Sequence, residues 1–341
     1  MYVDDLLITR SSEVMIIDFK KEMSTIFEMS DLGLLTYYLG IEVIESEDGI
    51  TLNQGRYATK ILQEAGMEDC NAVHTPIDAG LVLSKASKEQ NADEKEFRRN
   101  IGCLRYLLHT RPDLAYSVGL LSRYMHEPKT SHVAALKHIL RYLKGTSSHG
   151  LTFSRAKKME LVGFSDSSHN IDEDDGRSTT GHVFYLNKCP ITWCSQKQET
   201  VALSSCEAEF MAATEAAKQA IWLQELMEEI TEKSCKKVMI CIDNKSAIAL
   251  TKNPVFHGRS KHIHKRYHFI RECVENEQVE VQHVPGVEQR ADILTKALGR
   301  IKFKEMRELV GVQDIVNFKF KGENVGDKHE VIPILMSLGL G

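Results

Sequence analysis

From Leu161 onward the hydrophobic positions change period in a fixed order. Leu161–Ser165, His182–Leu186 and Ile191–Cys194 are short apolar runs bounded by polar turns, and they predict three successive strands. Leu203–Ile230 repeats its apolar residues at helical spacing. Strand Val238–Ile242, a short helix from Lys245, a basic helix over Lys261–Asn276, strand Val279–Val284 and a last helix after Gly286 follow. Three strands, then strands alternating with helices, predict an α/β domain: a mixed five-stranded sheet flanked by helices.

The first half has a different rhythm. Met1–Ile8 reads as apolar strand, polar turn and apolar strand, with Asp4 and Asp5 at the tip. Val14–Phe27 has helical spacing. Leu39–Glu45 and Ile50–Asn53 predict a hairpin around Glu47-Asp48-Gly49, and Thr59–Ala65 a short helix stopped by Gly66. After a polar stretch over Val73–Asp93, helices are predicted over Phe97–His109, Leu114–Met125 and Ser131–Leu143. The switch from helices to strands places a boundary within Gly145–Lys158. Beyond about Asp314 no period is evident, and 301–341 is expected to be a C-terminal tail.

Composition narrows the class. A chain of 341 residues with 42% hydrophobic and 27% charged residues has ordinary globular content and room for two or three domains. It lacks an apolar run near the ~20 residues of a membrane helix, and a signal-peptide pattern, so an intracellular protein, cytoplasmic or nuclear, is expected. The eight cysteines form no C-x-x-C pair and are expected to be reduced core residues. The formal net charge of −5 is unlike that of a dedicated nucleic-acid binder, yet Arg259, Lys261, Lys265, Arg266 and Arg271 crowd an acid-free stretch. A second basic zone spans Arg98–Lys144. Asp172, Asp174 and Asp175 are expected in a solvated loop, and Trp193 and Trp222 in the core.

Four acids carry the chemistry. Asp166 ends the first strand of the domain, and Asp243 ends the fourth, its expected parallel neighbour. Glu209 falls in the first turns of the long helix and Asp292 in the first turn of the last one. Ligand groups in open α/β sheets gather at such strand ends, whereas a single acid at a helix start also suits the helix dipole. Glu207 competes with Glu209, but residues two apart do not share a helix face. Glu209 is preferred because Phe210 and Ala213 continue the apolar face. An all-carboxylate quartet suits two Mg2+ ions, with Mn2+ as a substitute, held over a phosphodiester.

Longer strings of residues carry a family resemblance. Val201-Ala202-Leu203-Ser204-Ser205-Cys206-Glu207-Ala208-Glu209-Phe210, Asp243-Asn244-Lys245-Ser246-Ala247, Lys261-His262-Ile263 and Ala291-Asp292-Ile293-Leu294-Thr295-Lys296 resemble the ribonuclease H domain of copia-type retrotransposon Pol polyproteins. The resemblance implies a ribonuclease H-like fold over 157–300. It also implies two-metal hydrolysis of RNA in an RNA–DNA hybrid, with Asp166, Glu209, Asp243 and Asp292 as ligands. Repulsion among them is expected to raise at least one pKa when no metal is bound. Arg259, Lys261, Lys265 and Arg266 are candidates for hybrid phosphates, with a merely solvated helix face as the other reading. The chain departs from the family in Asp166-Ser167-Ser168-His169, in His264, and in lacking a histidine over Gly286–Arg290. His283, on the preceding strand, is read as structural.

The first half is similar to reverse transcriptases of the same polyproteins. Tyr2-Val3-Asp4-Asp5 resembles the catalytic hairpin, Asp31-Leu32-Gly33 with Tyr38-Leu39-Gly40-Ile41-Glu42 the primer grip, and Thr110-Arg111-Pro112-Asp113 with Lys144-Gly145-Thr146 the thumb and connection. The implied order is a truncated palm and primer-grip remnant over 1–75, then a helical thumb and connection region over 76–150. Fingers and the first palm aspartate would precede Met1, so Asp4 and Asp5 belong to an incomplete polymerase site, and no polymerase activity is expected without an upstream Pol segment. Self-association is the other expected partnership. The rival expectation is a decayed or domesticated protein that binds nucleic acid without turnover.

Overall fold

The computed structural model describes residues 6–9, 12–46, 49–85, 88–155, 159–252 and 264–316, with Glu13 and residues 264–268 described by main chain alone. The aspartate pair Asp4 and Asp5, and the basic residues Arg259 and Lys261, lie outside the described residues.

Helix α1 (Glu13–Ile26) precedes an antiparallel sheet of β1 (Tyr37–Tyr38), β2 (Ile41–Ser46), β3 (Gly49–Asn53), β4 (His149–Ser154) and β10 (Val312–Asp314), in that order. Leu39 and Gly40 turn the chain from β1 to β2 at φ 46° and 77°, the left-handed pair that matches strand twist in a two-residue hairpin. Helix α2 (Gly55–Glu64) starts earlier than expected. Two side chains supply acceptors for its orphan N–H groups: Gly55 N donates to Asn53 Oδ1 (3.0 Å) and Arg56 N to Glu42 Oε1 (2.8 Å).

The second sheet contains β5 (Leu161–Ser167), β6 (Thr179–Leu186), β7 (Cys189–Lys197), β8 (Val238–Ile242) and β9 (Val279–His283), ordered β7-β6-β5-β8-β9. β5 is antiparallel to β6 and parallel to β8, and β8 is parallel to β9. This is the mixed five-stranded sheet that the hydrophobic pattern implies.

Both faces of this sheet are buried, and the alternation of residues along each strand shows how. Leu161, Phe184, Ile240, Ile242 and Val281 point toward α6 (Ser205–Thr231), α7 (Lys245–Lys252) and α8 (His264–Glu275). A row of alanines, Ala213, Ala216, Ala217 and Ala220, brings α6 close to the strands. Phe164, Val183, Tyr185 and Cys241 point the other way. They share one core with Phe97, Ile101, Leu104, Leu121, Ile139 and Leu143 from α3 (Glu94–Leu107), α4 (Ala115–Ser122) and α5 (Thr130–Gly145).

Several expectations change here. The Gly145–Lys158 stretch contains β4, which joins β3, so the core does not break where the rhythm changes. Residues 301–314, expected in the tail, form most of helix α9 (Arg300–Val310) and all of β10; Phe303, Met306 and Val310 insert into the shared core, and β10 pairs with β4. The single last helix is instead a short 3-10 turn (Arg290–Leu294) followed by α9. Trp222 is 45% exposed rather than core, while the Trp193 indole packs against the core and donates to Leu108 O at 3.1 Å. All eight cysteines are free, but only Cys189, Cys241 and Cys273 are buried. Asp172 is buried rather than solvated: Arg123 Nη1 (2.9 Å) and Lys197 Nζ (2.7 Å) pair with it, tying α4 to the loop after β5.

Part of the Arg98–Lys144 basic zone is therefore internal. Arg111 is the clearest case. Its guanidinium makes a two-pronged pair with Asp113 (2.9 and 2.8 Å) and donates to Thr146 O and Oγ1 at 2.8 Å each, while Tyr142 donates to Asp113 Oδ2 at 2.7 Å. The two side chains are 2% and 0% exposed. Removing one partner strands the other charge. Asp113→Ala is expected to lower stability by about 3–5 kcal/mol in denaturant unfolding, with the apolar pair Arg111→Met/Asp113→Leu recovering most of it. A loss below about 1 kcal/mol for the single variant would contradict this.

Candidate active site

Three of the four acids converge. Asp166, Asp243 and Asp292 each offer a carboxylate oxygen, and these oxygens lie within 4.8 Å of one another. Parallel pairing of β5 with β8 puts the C-terminal ends of both strands, and so Asp166 and Asp243, at the same edge. Asp292 arrives on the 3-10 turn. Gly181 on β6 lets that turn approach: a Cβ there would stand 2.6 Å from Thr295 and 2.8 Å from Leu294. Gln289 caps the turn and ties it to β5, since its Nε2 donates to Ser165 O (2.9 Å) while Oε1 accepts from Ala291 N (3.3 Å). Ser195 Oγ adds a bond to Leu294 O at 2.6 Å.

Glu209, on α6, lies beside this group but outside the three whose oxygens converge within 4.8 Å. Ser204 caps this helix, accepting from Glu207 N (3.2 Å), and Glu207 Oε2 reaches back to accept from Leu203 N (3.1 Å). Both glutamates are buried, but Glu207 is turned toward the cap, so the two divide the roles. Glu209 Oε1 accepts from Ser167 N at 3.1 Å. Its Oε2 is buried with no donor in reach among the described residues.

Burial and crowding dominate the electrostatics. Burial first, then the charges of Asp166 and Asp243, push Glu209 up to about 10. Burial also raises Asp243, with Asp292 adding to the rise and Lys296 opposing it. Asp292 is raised by burial and by Asp166, against the pull of Lys296 and Lys302. Lys296 reaches into the cluster, with Nζ 2.8 Å from Asp292 Oδ1 and 3.5 Å from Asp166 Oδ2. Lys302 Nζ lies 3.6 Å from Asp292 Oδ2, and the Thr295 hydroxyl donates to Asp166 Oδ2. Three aspartate oxygens converging from separate elements are the hard donors that a hard divalent cation takes.

Other expected residues resolve differently. Lys265 and Arg266 fall on α8, with side chains outside the described residues; the helix buries Ile270 and Cys273 against α6. His283 ends β9 exposed rather than packed. Gln289, Thr295, Lys296 and Lys302 surround the acids without having been assigned roles from the sequence. Lys296 alone had a local signal, since it follows Asp292 by four residues, the spacing of a helical ion pair. No described helix is long and apolar enough to cross a membrane.

The family described as "Reverse transcriptase (RNA-dependent DNA polymerase)" matches residues 1–79. A "Retrovirus-related Pol polyprotein from transposon RE1" of Arabidopsis thaliana is 38% identical over 312 residues, 92% of this chain and 21% of that protein. An uncharacterized mitochondrial protein of the same plant is 38% identical over 222 residues, 65% of this chain and 92% of that protein. The chain spans about a fifth of the length of the transposon polyproteins it matches. Among solved structures, LC11-RNase H1, isolated from compost by a metagenomic approach, aligns at a TM-score of 0.32 and 15% identity, covering 40% of this chain and 94% of that one. Matched to RE1 and RE2 at 38% identity over 92% of its length, the chain belongs to the copia-type, retrovirus-related Pol sequences of transposons.

Proposed function

We propose that this chain hydrolyses the RNA strand of an RNA–DNA hybrid, with Asp166, Glu209, Asp243 and Asp292 as ligands of two Mg2+ ions. The observation that supports it best is the convergence of three aspartates from separate elements within 4.8 Å, beside a buried glutamate from a fourth. Bound Mg2+ would supply Lewis-acid activation of water and of the departing oxygen. The chain's own part is positional. Thr295 orients Asp166, Gln289 holds the turn that bears Asp292, and the Ser167 main chain holds Glu209.

On this reading 157–300 form the nuclease domain, supported by α9 and β10, while 1–75 and 76–150 derive from the palm and the thumb and connection. Arg259, Lys261, Lys265 and Arg266 would meet hybrid phosphates. An open groove of about 420 Å³ between α7 and β9 is lined by Lys245, Lys252, Glu280 and His283 among others.

Magnesium-dependent cleavage of an end-labelled RNA–DNA hybrid tests the proposal. Asp166→Asn and Asp243→Asn should each lower the rate by about 10²–10³, roughly 3–4 kcal/mol of transition-state stabilisation. A folded wild-type chain that binds hybrid without cutting it would point to a non-catalytic binder.

A second prediction concerns pH. Folded Glu209 holds its proton up to about 10, against an ordinary value of 4.5, so the folded state binds more protons than the unfolded one across that window. Stability without metal therefore falls as pH rises, with Asp243 and Asp292 acting in the same direction. Melting temperatures at about pH 5 and about pH 9 should show that fall, and excess Mg2+ should reduce it. Melting that is flat with pH, or equally steep with Mg2+, would refute it.

A further inference from the structure

We propose that Lys296 is a tethered counter-ion: its ammonium occupies the carboxylate cluster when no metal is bound and competes with a divalent cation for the same oxygens. The inference rests on the metal-site reading above. Its geometric basis is the ammonium's place between two of the acids, 2.8 Å from Asp292 Oδ1 and 3.5 Å from Asp166 Oδ2. Both of these oxygens belong to the residues that converge with Asp243.

Lys296 can hold this position because its main chain is fixed one residue beyond Thr295, which itself bonds Asp166 and the Asp292 carbonyl. The flexible stem is free to withdraw, since the side chain remains 36% exposed at the rim. Lys302 is a useful contrast. It touches Asp292 alone, at 3.6 Å, and also donates to Gly286 O at 3.1 Å, so it lies outside the cluster.

A cation and an ammonium that share carboxylate oxygens exclude one another, so the lysine should weaken metal binding while supporting the metal-free fold. A merely structural lysine would do only the second. The predicted consequences differ enough to be separated by Mg2+ titration calorimetry and thermal melting of the full chain.

Lys296→Met should bind Mg2+ about tenfold more tightly than wild type, a gain of about 1.4 kcal/mol. It should also melt lower without metal, with a wider gap between metal-free and Mg2+-loaded melting temperatures. Lys296→Arg keeps the charge and should stay within about twofold of wild-type affinity, which is under half a kcal/mol. Lys302→Met should shift affinity much less than Lys296→Met.

Equal or weaker Mg2+ affinity in Lys296→Met overturns the proposal, as does an equal gain from Lys302→Met, which would indicate a general field effect. Should Lys296→Met fail to fold, Lys296→Gln takes its place under the same criteria. If wild type shows no saturable Mg2+ binding, the metal-site reading fails and this proposal fails with it. Binding in wild type with no change in the variants defeats this proposal alone.

Discussion

Carboxylates drawn out of water beside one another repel and lose hydration, and the rest of the site is organised around containing that conflict. Asp166, Asp243 and Asp292 meet within 4.8 Å, and Glu209 beside them is pushed up to about 10 by burial and by the charges of Asp166 and Asp243. The fold answers with hydrogen bonds from Ser167 N and Thr295 and with the ammonium of Lys296. On the proposed reading, a site held in this condition would favour a hard cation. The same feature links its stability to metal and pH.

Holding the conflict requires rigid support, and it comes from both sides of the sheet. The alanine-lined face of α6 fixes Glu209 against β5, with Ser204 and Glu207 closing the helix start. Across the sheet, the turn bearing Asp292 buries Ala291, Ile293 and Leu294 in the core shared with α3, α4, α5 and α9. The helices α3, α4 and α5 and the second sheet thus share one core. The Asp172 pairs with Arg123 and Lys197 reinforce the same junction.

Much of this was legible in the sequence, and the reasons differ by element. Strands β5, β6 and β8 are apolar runs with clear boundaries, and the acids stand in distinctive neighbourhoods, so the sheet and the edge where three aspartates converge could be read directly. β4 and β10 could not, because short strands whose partners lie far along the chain leave almost no local period. α9 was hidden for a related reason: its core contacts, Phe303, Met306 and Val310, are few and lie among charged residues. Asp172 and Arg111 look like surface charges in sequence, since burial of a charge depends on a partner that only the fold supplies. Trp222 misled in the opposite sense, as a large aromatic residue on the outer face of a helix.

If these carboxylates bind metal together, anomalous scattering from a crystal soaked in Mn2+ will locate it. Manganese density is expected bonded to Asp166 together with Asp243 or Asp292, at oxygen distances of about 2.0–2.2 Å, with Lys296 Nζ moved away from the cluster. A fully soaked crystal with an intact fold and no manganese at these oxygens would contradict it.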